Sequence, residues 1–248
     1  MNRTRWRDAT SYFRLSRSYR RDILNSWLQK WHDQVRGIVL DVGGEKGSKD
    51  GFQFAEGAGI SRRLYLNIDG AKGPDIVADG TRIPVASATM DTVICLETLE
   101  HVLDPCAVLD DLSRVLRSGG VLLLSVPFLF RLHGVPQDFW RFTEYQVIRM
   151  VERSGLQTLH LEALGGFPTV ICEMVKQTLS DIRCAPIRWA LGILFLPVAG
   201  IWLGVERLAA SPRSVVRRFT TGYAVLAIKP EHAKQSDNAS DAGPNRAT

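Results

Sequence analysis

The sequence predicts an α/β protein built on a doubly wound, seven-stranded sheet, with a helical hydrophobic insertion ahead of the last strand. Three observations carry this. Short apolar runs alternate with amphipathic segments, several of the runs end on acidic residues, and a long apolar stretch, Trp189 to Val205, separates the last two runs. Alternating strand and helix patterns are the mark of a largely parallel sheet.

Taken in order, Ile23, Trp27, Trp31 and Val35, with Leu24 and Leu28, recur at helical spacing. They predict an amphipathic helix over Arg21 to Gln34, stopped by Gly37. The first strand, Ile38 to Leu40, runs into Asp41-Val42-Gly43-Gly44-Glu45-Lys46-Gly47. The second, Leu64 to Ile68, ends on Asp69, and the third, Asp75 to Ala78, ends on Asp79. The fourth, Thr92 to Leu96, is followed by Glu97-Thr98-Leu99-Glu100-His101, and the fifth, Val121 to Val126, follows the turn Ser118-Gly119-Gly120. Helices are expected over Val108 to Leu116 and over Thr143 to Arg153, the latter capped by Thr143 and stopped at Gly155. Leu156 to Ala163 reads as the sixth strand, and Thr221 to Ile228, before Pro230, as the seventh. Open parallel sheets bind ligands outside the carboxyl ends of their strands, and a carboxylate there can accept from both hydroxyls of a ribose. Glycines after the first strand let the backbone approach such a ligand closely.

At these residues the chain resembles the class I S-adenosylmethionine-dependent methyltransferases, in their small-molecule branch. The resemblance covers roughly Val35 to Leu161. Asp41-Val42-Gly43 with Gly47 is similar to the glycine-rich first motif, and Asp69 sits where the family places the acidic residue for the ribose. Ala78-Asp79-Gly80 with Ile83-Pro84 resembles the segment beside the adenine. Met90 to Cys95, continuing through Glu97, Leu99, Glu100 and His101, resembles the fourth strand and the turn after it. The resemblance implies S-adenosylmethionine as cofactor, with Asp41, Gly43, Gly47, Asp69, Asp79 and Glu97 as the residues around it. Glu45 departs from the pattern, standing where the family usually has its middle glycine. A nicotinamide-dependent oxidoreductase is the weaker alternative, because the loop lacks G-x-G-x-x-G. A noncatalytic, membrane-associated scaffold that binds the cofactor is another.

Methyl transfer to a hydroxyl needs an aligned acceptor and a group that takes its proton. Candidates follow the fourth and fifth strands: His101, His133 and Asp138. The run His133 to Thr143 resembles a motif of methyltransferases that accompany cell-surface polysaccharide and glycolipid biosynthesis, where histidine, proline and aspartate precede an aromatic pair, arginine and threonine. The resemblance implies O-methylation of a small or lipid-linked acceptor. Alternatively, Asp138 and Arg141 pair to brace the loop. The five histidines are scattered without ligand spacing, so no metal site is expected.

Residues 1–36 hold nine basic and three acidic residues, so this helical segment accounts for the whole chain's net charge of +5. No nucleic-acid-binding module is visible, and nucleic acid is not an expected partner. The amino terminus lacks the apolar core of a signal peptide, and four cysteines without paired spacing fit a reducing cytoplasm. The methyltransferase domain is expected over 37–230, with the insertion at 165–219 and a polar, disordered tail at 231–248. Trp189 to Val205 carries no charge, but one membrane crossing would part the sixth strand from the seventh. The expectation is therefore an in-plane or re-entrant segment bent at Pro197, on the inner face of the cytoplasmic membrane. The alternative is a helix buried against the body of the protein or a dimer partner.

Overall fold

The computed structural model describes residues 18–46, 59–208 and 218–231. Gly47, the basic residues 1–17, residues 209–217 of the insertion and residues 232–248 of the expected tail lie outside the described residues. Seven strands form one sheet: β1 (Gly37–Val42), β2 (Ile60–Asn67), β3 (Ile76–Val77), β4 (Met90–Leu96), β5 (Leu116–Pro127), β6 (Gln157–Ala163) and β7 (Gly222–Ile228). Their spatial order is β3-β2-β1-β4-β5-β7-β6. Strands β1 to β5 are parallel, and β7 is antiparallel to both neighbours. The order reverses between β1 and β4, so the loops after β1, β2, β3, β4 and β5 gather along one edge around that switch point.

Burial follows the two-residue period of the strands. Leu40, Val42, Val93, Cys95, Leu122 and Leu124 face one core, with Val108, Leu112, Val147 and Met150 from α2 (Pro105–Val115) and α3 (Glu144–Arg153). Val39, Ile94 and Leu123 face the other, with Leu24, Trp27 and Leu28 from α1 (Tyr19–Lys30). Asp104 caps α2 by accepting from Ala107 N at 3.0 Å, and Thr143 caps α3 by accepting from Gln146 N at 3.3 Å. The helix expected to run to Gln34 ends at Lys30 and is completed by a short 3-10 turn over His32–Gln34.

The insertion is a helical hairpin, α4 (Phe167–Ser180) and α5 (Ala185–Leu208). Pro197 lies inside a continuous helix. Glycine at position 166 gives α4 no side-chain cap of its own. Glu206 of α5 supplies one, accepting from Thr169 N at 2.9 Å, from Thr169 Oγ1 at 2.8 Å and from Gly166 N. A carboxylate there also meets the positive end of the helix dipole. The contact brings the chain back to the point where it left β6, which lets β7 pair with β6. The hairpin grips α1 as well: Glu173 accepts from Tyr19 N at 2.7 Å, and Lys176 Nζ stands 4.4 Å from the Tyr19 ring centre. Glu206→Ala is expected to lower stability by about 1–2 kcal/mol, read as a fall in the urea midpoint. An unchanged midpoint would show that the cap does not hold the hairpin.

Candidate active site

At the end of β1 the backbone turns at Gly43, whose φ of +80° lies in the left-handed region. A Cβ there would collide with Thr98, whose Oγ1 donates to Val42 O (3.2 Å) or Leu96 O (3.0 Å). Asn67 Nδ2 donates to the carbonyls of Gly43 and Gly44, both at 3.2 Å, while Asn67 Oδ1 accepts from Asp69 N at 3.0 Å. One amide thus ties the first loop to the second. Asp69 and Asp79 are exposed, each closing a local turn by accepting from Ala71 N and Thr81 N, both at 2.9 Å. Asp41 is buried under the loop and receives Arg63 Nη2 at 2.5 Å. Burial pushes its carboxyl upward, against the pull of Arg63. Glu45 is exposed.

Glu97, expected near the cofactor, is held by partners within the protein. Its backbone sits at φ +51°, unusual for a residue with a side chain. Its carboxylate accepts from Arg20 Nη2 of α1 and from Ser125 Oγ of β5, each at 2.6 Å. Engaged in this way, it supports the edge rather than offering a free carboxylate to a ligand. Arg20 itself is buried, which pulls its guanidinium down to about 9, and it stacks 5.2 Å from the Phe130 ring centre.

The loop after β5 folds back onto the turn Leu99–His101. Phe139 N donates to Glu100 O at 2.8 Å and Trp140 Nε1 to Val102 O at 2.9 Å. Asp138, a candidate for the chemistry, is enclosed in the same loop. Its side chain is 2 % exposed and takes both Arg141 Nη1 at 2.6 Å and Nη2 at 2.7 Å, plus His133 N at 2.8 Å. Arg141 also donates to the carbonyl of Arg131 at 2.8 Å. Asp138 therefore braces the loop and holds His133, as the alternative reading had it. The Arg141 guanidinium keeps its carboxyl well below the usual carboxylate range. With a depressed folded-state value, the stabilisation from this brace is full above the ordinary carboxylate value of about 3.9 and is lost as pH falls toward the depressed one and the carboxylate is protonated.

His101 and His133, 32 positions apart in the chain, come together with ring centres 4.9 Å apart. Glu100 Oε1 lies 3.4 Å from His133 Nε2 and 3.9 Å from His101 Nε2, and the Glu100 side chain has no solvent exposure. The ligand atoms of these three side chains all lie within 4.8 Å of one another, a grouping that their spacing in the sequence did not reveal. The fold, not sequence spacing, assembles it. Gly134 makes the approach feasible: its φ is +65°, and a Cβ would stand 2.7 Å from His101 Cε1.

A methyltransferase-domain family model matches residues 62–124. Residues 62–124 are thus a methyltransferase domain. The strand order above is that of the class I S-adenosylmethionine-dependent methyltransferases. The chain's relatives include the ubiquinone biosynthesis O-methyltransferase of Vibrio atlanticus, 27% identical over 195 residues, which cover 65% of this chain and 80% of that one. Among solved structures, the [4+2]-cyclase SpnF superposes with a TM-score of 0.54 at 14% identity, over 84% of this chain and 80% of its own. Phosphoethanolamine N-methyltransferase 2 of Haemonchus contortus, in complex with S-adenosyl-L-methionine, gives 0.53 at 13% identity, over 84% and 52%. These likenesses are of fold.

Sequence reasoning left four site residues without a role: Arg20, Asn67, Thr98 and Glu100. Asn67 and Glu100 had a signal, a polar residue closing an apolar strand and a carboxylate directly before His101. Arg20 had none, being one arginine among many in a basic segment. Gly134→Ala is expected to lower turnover of the methyltransferase by on the order of 10–100-fold by displacing the loop or the His101 ring, with cofactor affinity unchanged. Equal turnover in the variant would show that this close approach does not set the site.

Proposed function

We propose that this methyltransferase transfers a methyl group to an oxygen of a small or lipid-linked acceptor, and that the acceptor hydroxyl loses its proton at the Glu100, His101 and His133 cluster. The observation that carries this is the cluster itself, set beside Phe130 and behind the Asp138–Arg141 brace, on the same edge as the first loop. A hydroxyl acceptor requires a proton-accepting group, whereas the activated methyl of the donor requires little else. The name of the Vibrio relative, an O-methyltransferase, agrees with oxygen as the methylated atom.

The donor set on the other side of the edge fits S-adenosylmethionine. Asp69 and Asp79 present exposed carboxylates at the ends of β2 and β3, suited to ribose hydroxyls and the adenine amino group. Gly43 keeps the turn open for close backbone approach, Asp41 fixes that turn from beneath through Arg63, and Glu97 orders the neighbouring edge. When bound, the donor supplies an electrophilic methyl group carried on a sulfonium. His101 and His133 hold the acceptor side, with Phe130, Phe139 and Trp140 as apolar surface for it.

Two variants separate the halves of the site. Asp69→Ala removes a charge-assisted contact and is expected to weaken S-adenosylmethionine binding by about 1.5–3 kcal/mol in calorimetry. His133→Ala is expected to leave that affinity nearly intact while lowering turnover by about 10²–10⁴-fold. Turnover is read as S-adenosylhomocysteine release with a panel of phenolic, catechol and glycosyl-phosphate acceptors. Full activity in His133→Ala would remove the acceptor-side assignment.

The hairpin brings the enzyme to a membrane surface on the cytoplasmic side. Ala185–Glu206 is long and apolar enough to cross a membrane by length and composition, but α5 returns to the start of α4, so both flanking strands stay together. Trp189, Leu194, Val198, Ile201, Trp202 and Val205 are all exposed on α5. A surface-lying helix buries such a face at the boundary of head groups and acyl chains. Arg183 and Arg188 lie at its amino-terminal end, and the basic residues 1–17 add about 1 kcal/mol for each that lies close to an anionic surface. Wild type is expected to float with anionic liposomes at low salt, and a Leu194→Asp, Ile201→Asp double variant to stay behind. Wild type remaining in the soluble fraction would contradict membrane docking.

A further inference from the structure

Three groups able to ligate a cation meet beside the loop after β5: Glu100, His101 and His133. Glu100 is fully buried, and neither of its carboxylate oxygens has a hydrogen-bond partner. Each neighbouring imidazole has its other nitrogen turned to an acceptor. His101 Nδ1 meets the carbonyl of Gln137, and His133 Nδ1 meets the Arg131 carbonyl at 3.3 Å and Asp138 Oδ2 at 3.4 Å. A carbonyl only accepts, so the ring proton belongs on Nδ1 in both histidines. That leaves both Nε2 atoms turned toward one buried carboxylate, at 3.4 Å for His133 and 3.9 Å for His101.

We propose that Glu100, His101 and His133 bind one divalent cation of the zinc, cobalt or manganese type through both Nε2 atoms and a carboxylate oxygen. The ligand chemistry selects this class. Imidazole nitrogens suit borderline transition metals, whereas magnesium prefers an all-oxygen shell. Bonds of about 2.0–2.2 Å place neighbouring donors roughly 3–3.5 Å apart. Two of the present separations are 3.4 and 3.9 Å, and all lie within 4.8 Å, so side-chain rotation closes the site. The surroundings are those of a metal-binding histidine, whose second nitrogen is held by a carbonyl or carboxylate. Asp138, locked by Arg141, orients His133, and the Gln137 carbonyl orients His101.

Three protein donors leave coordination positions open, the arrangement of a catalytic rather than a structural metal site. The open positions take oxygen, from water or from the acceptor. This deepens the function proposed above and rests on the placement of the cluster on the acceptor side. With their lone pairs on the cation, the cluster side chains no longer take the proton themselves: the cation stabilises the acceptor oxygen as its proton passes to solvent, and restricts the acceptor to one whose phenolate or enolate oxygen can enter the coordination sphere.

The test is calorimetric titration of the chelator-treated full chain with Zn²⁺, Co²⁺ and Mg²⁺, with the visible absorption of the Co²⁺ form as a second readout. The expected result is one equivalent of Zn²⁺ or Co²⁺ bound far more tightly than Mg²⁺. His101→Ala and His133→Ala should each weaken binding at least about tenfold with unchanged circular dichroism. His160→Ala, whose ring pairs with Glu162, should match wild type. Absence of saturable binding, or binding untouched by both cluster variants, would overturn the proposal. A wild type that binds no cation yet loses methyl transfer on His133→Ala removes the metal site and leaves the O-methylation reading standing.

Discussion

The burial of Glu100 is the constraint on which the acceptor side depends. A carboxylate without solvent exposure costs several kcal/mol unless its surroundings compensate; neither oxygen of Glu100 has a hydrogen-bond partner, and what covers it is a loop that begins more than two dozen residues later in the chain. Phe139 and Trp140 pin that loop to the backbone around Glu100, Gly134 lets it pass over the His101 ring, and the Asp138–Arg141 pair fixes the His133 backbone. None of these contacts is chemistry in itself. Together they deliver a second imidazole to a carboxylate that already has one, on the edge of the sheet where β4 and β5 end.

A second chain of contacts runs from the surface to the same edge. The hairpin of α4 and α5 holds Tyr19 at the start of α1 through Glu173 and Lys176. The next residue, Arg20, enters the sheet edge, pairs with Glu97 and stacks on Phe130. Phe130 in turn meets the His133 ring edge-on, with centres 5.4 Å apart. The apolar face proposed to meet the membrane and the cluster proposed to meet the acceptor are thus joined by packed side chains, through an ion pair buried deeply enough to depress the guanidinium to about 9.

Much of the fold was legible because parallel strands buried on both faces read as short apolar runs, and because caps and stops are local. Thr143 and Gly155 bounded α3 within a residue, and Asp104 and Pro105 began α2 three residues before the expected Val108. Strand ends carried Asp69 and Asp79 into view for the same reason. What was not legible is what the tertiary fold creates. The pairing of Glu97 with Arg20 spans 77 positions, and nothing in a basic segment marks one arginine as internal. Asp138 looked like a catalytic carboxylate because sequence does not reveal which of its partners fill its lone pairs. The histidines looked scattered because ligand spacing is a property of single elements, and these two sit on different loops. Around Pro197 the chain stays helical, and α5 runs on past the proline packed along α4.

The most direct measurement is a crystal structure of the full chain with S-adenosylhomocysteine. The expected result is the ribose on Asp69, the adenine beside Asp79, and the sulfur directed across the edge toward His101 and His133. A ligand seated away from the switch point between β1 and β4, or one whose sulfur is turned away from those histidines, would contradict the placement of donor and acceptor on which the functional reading stands.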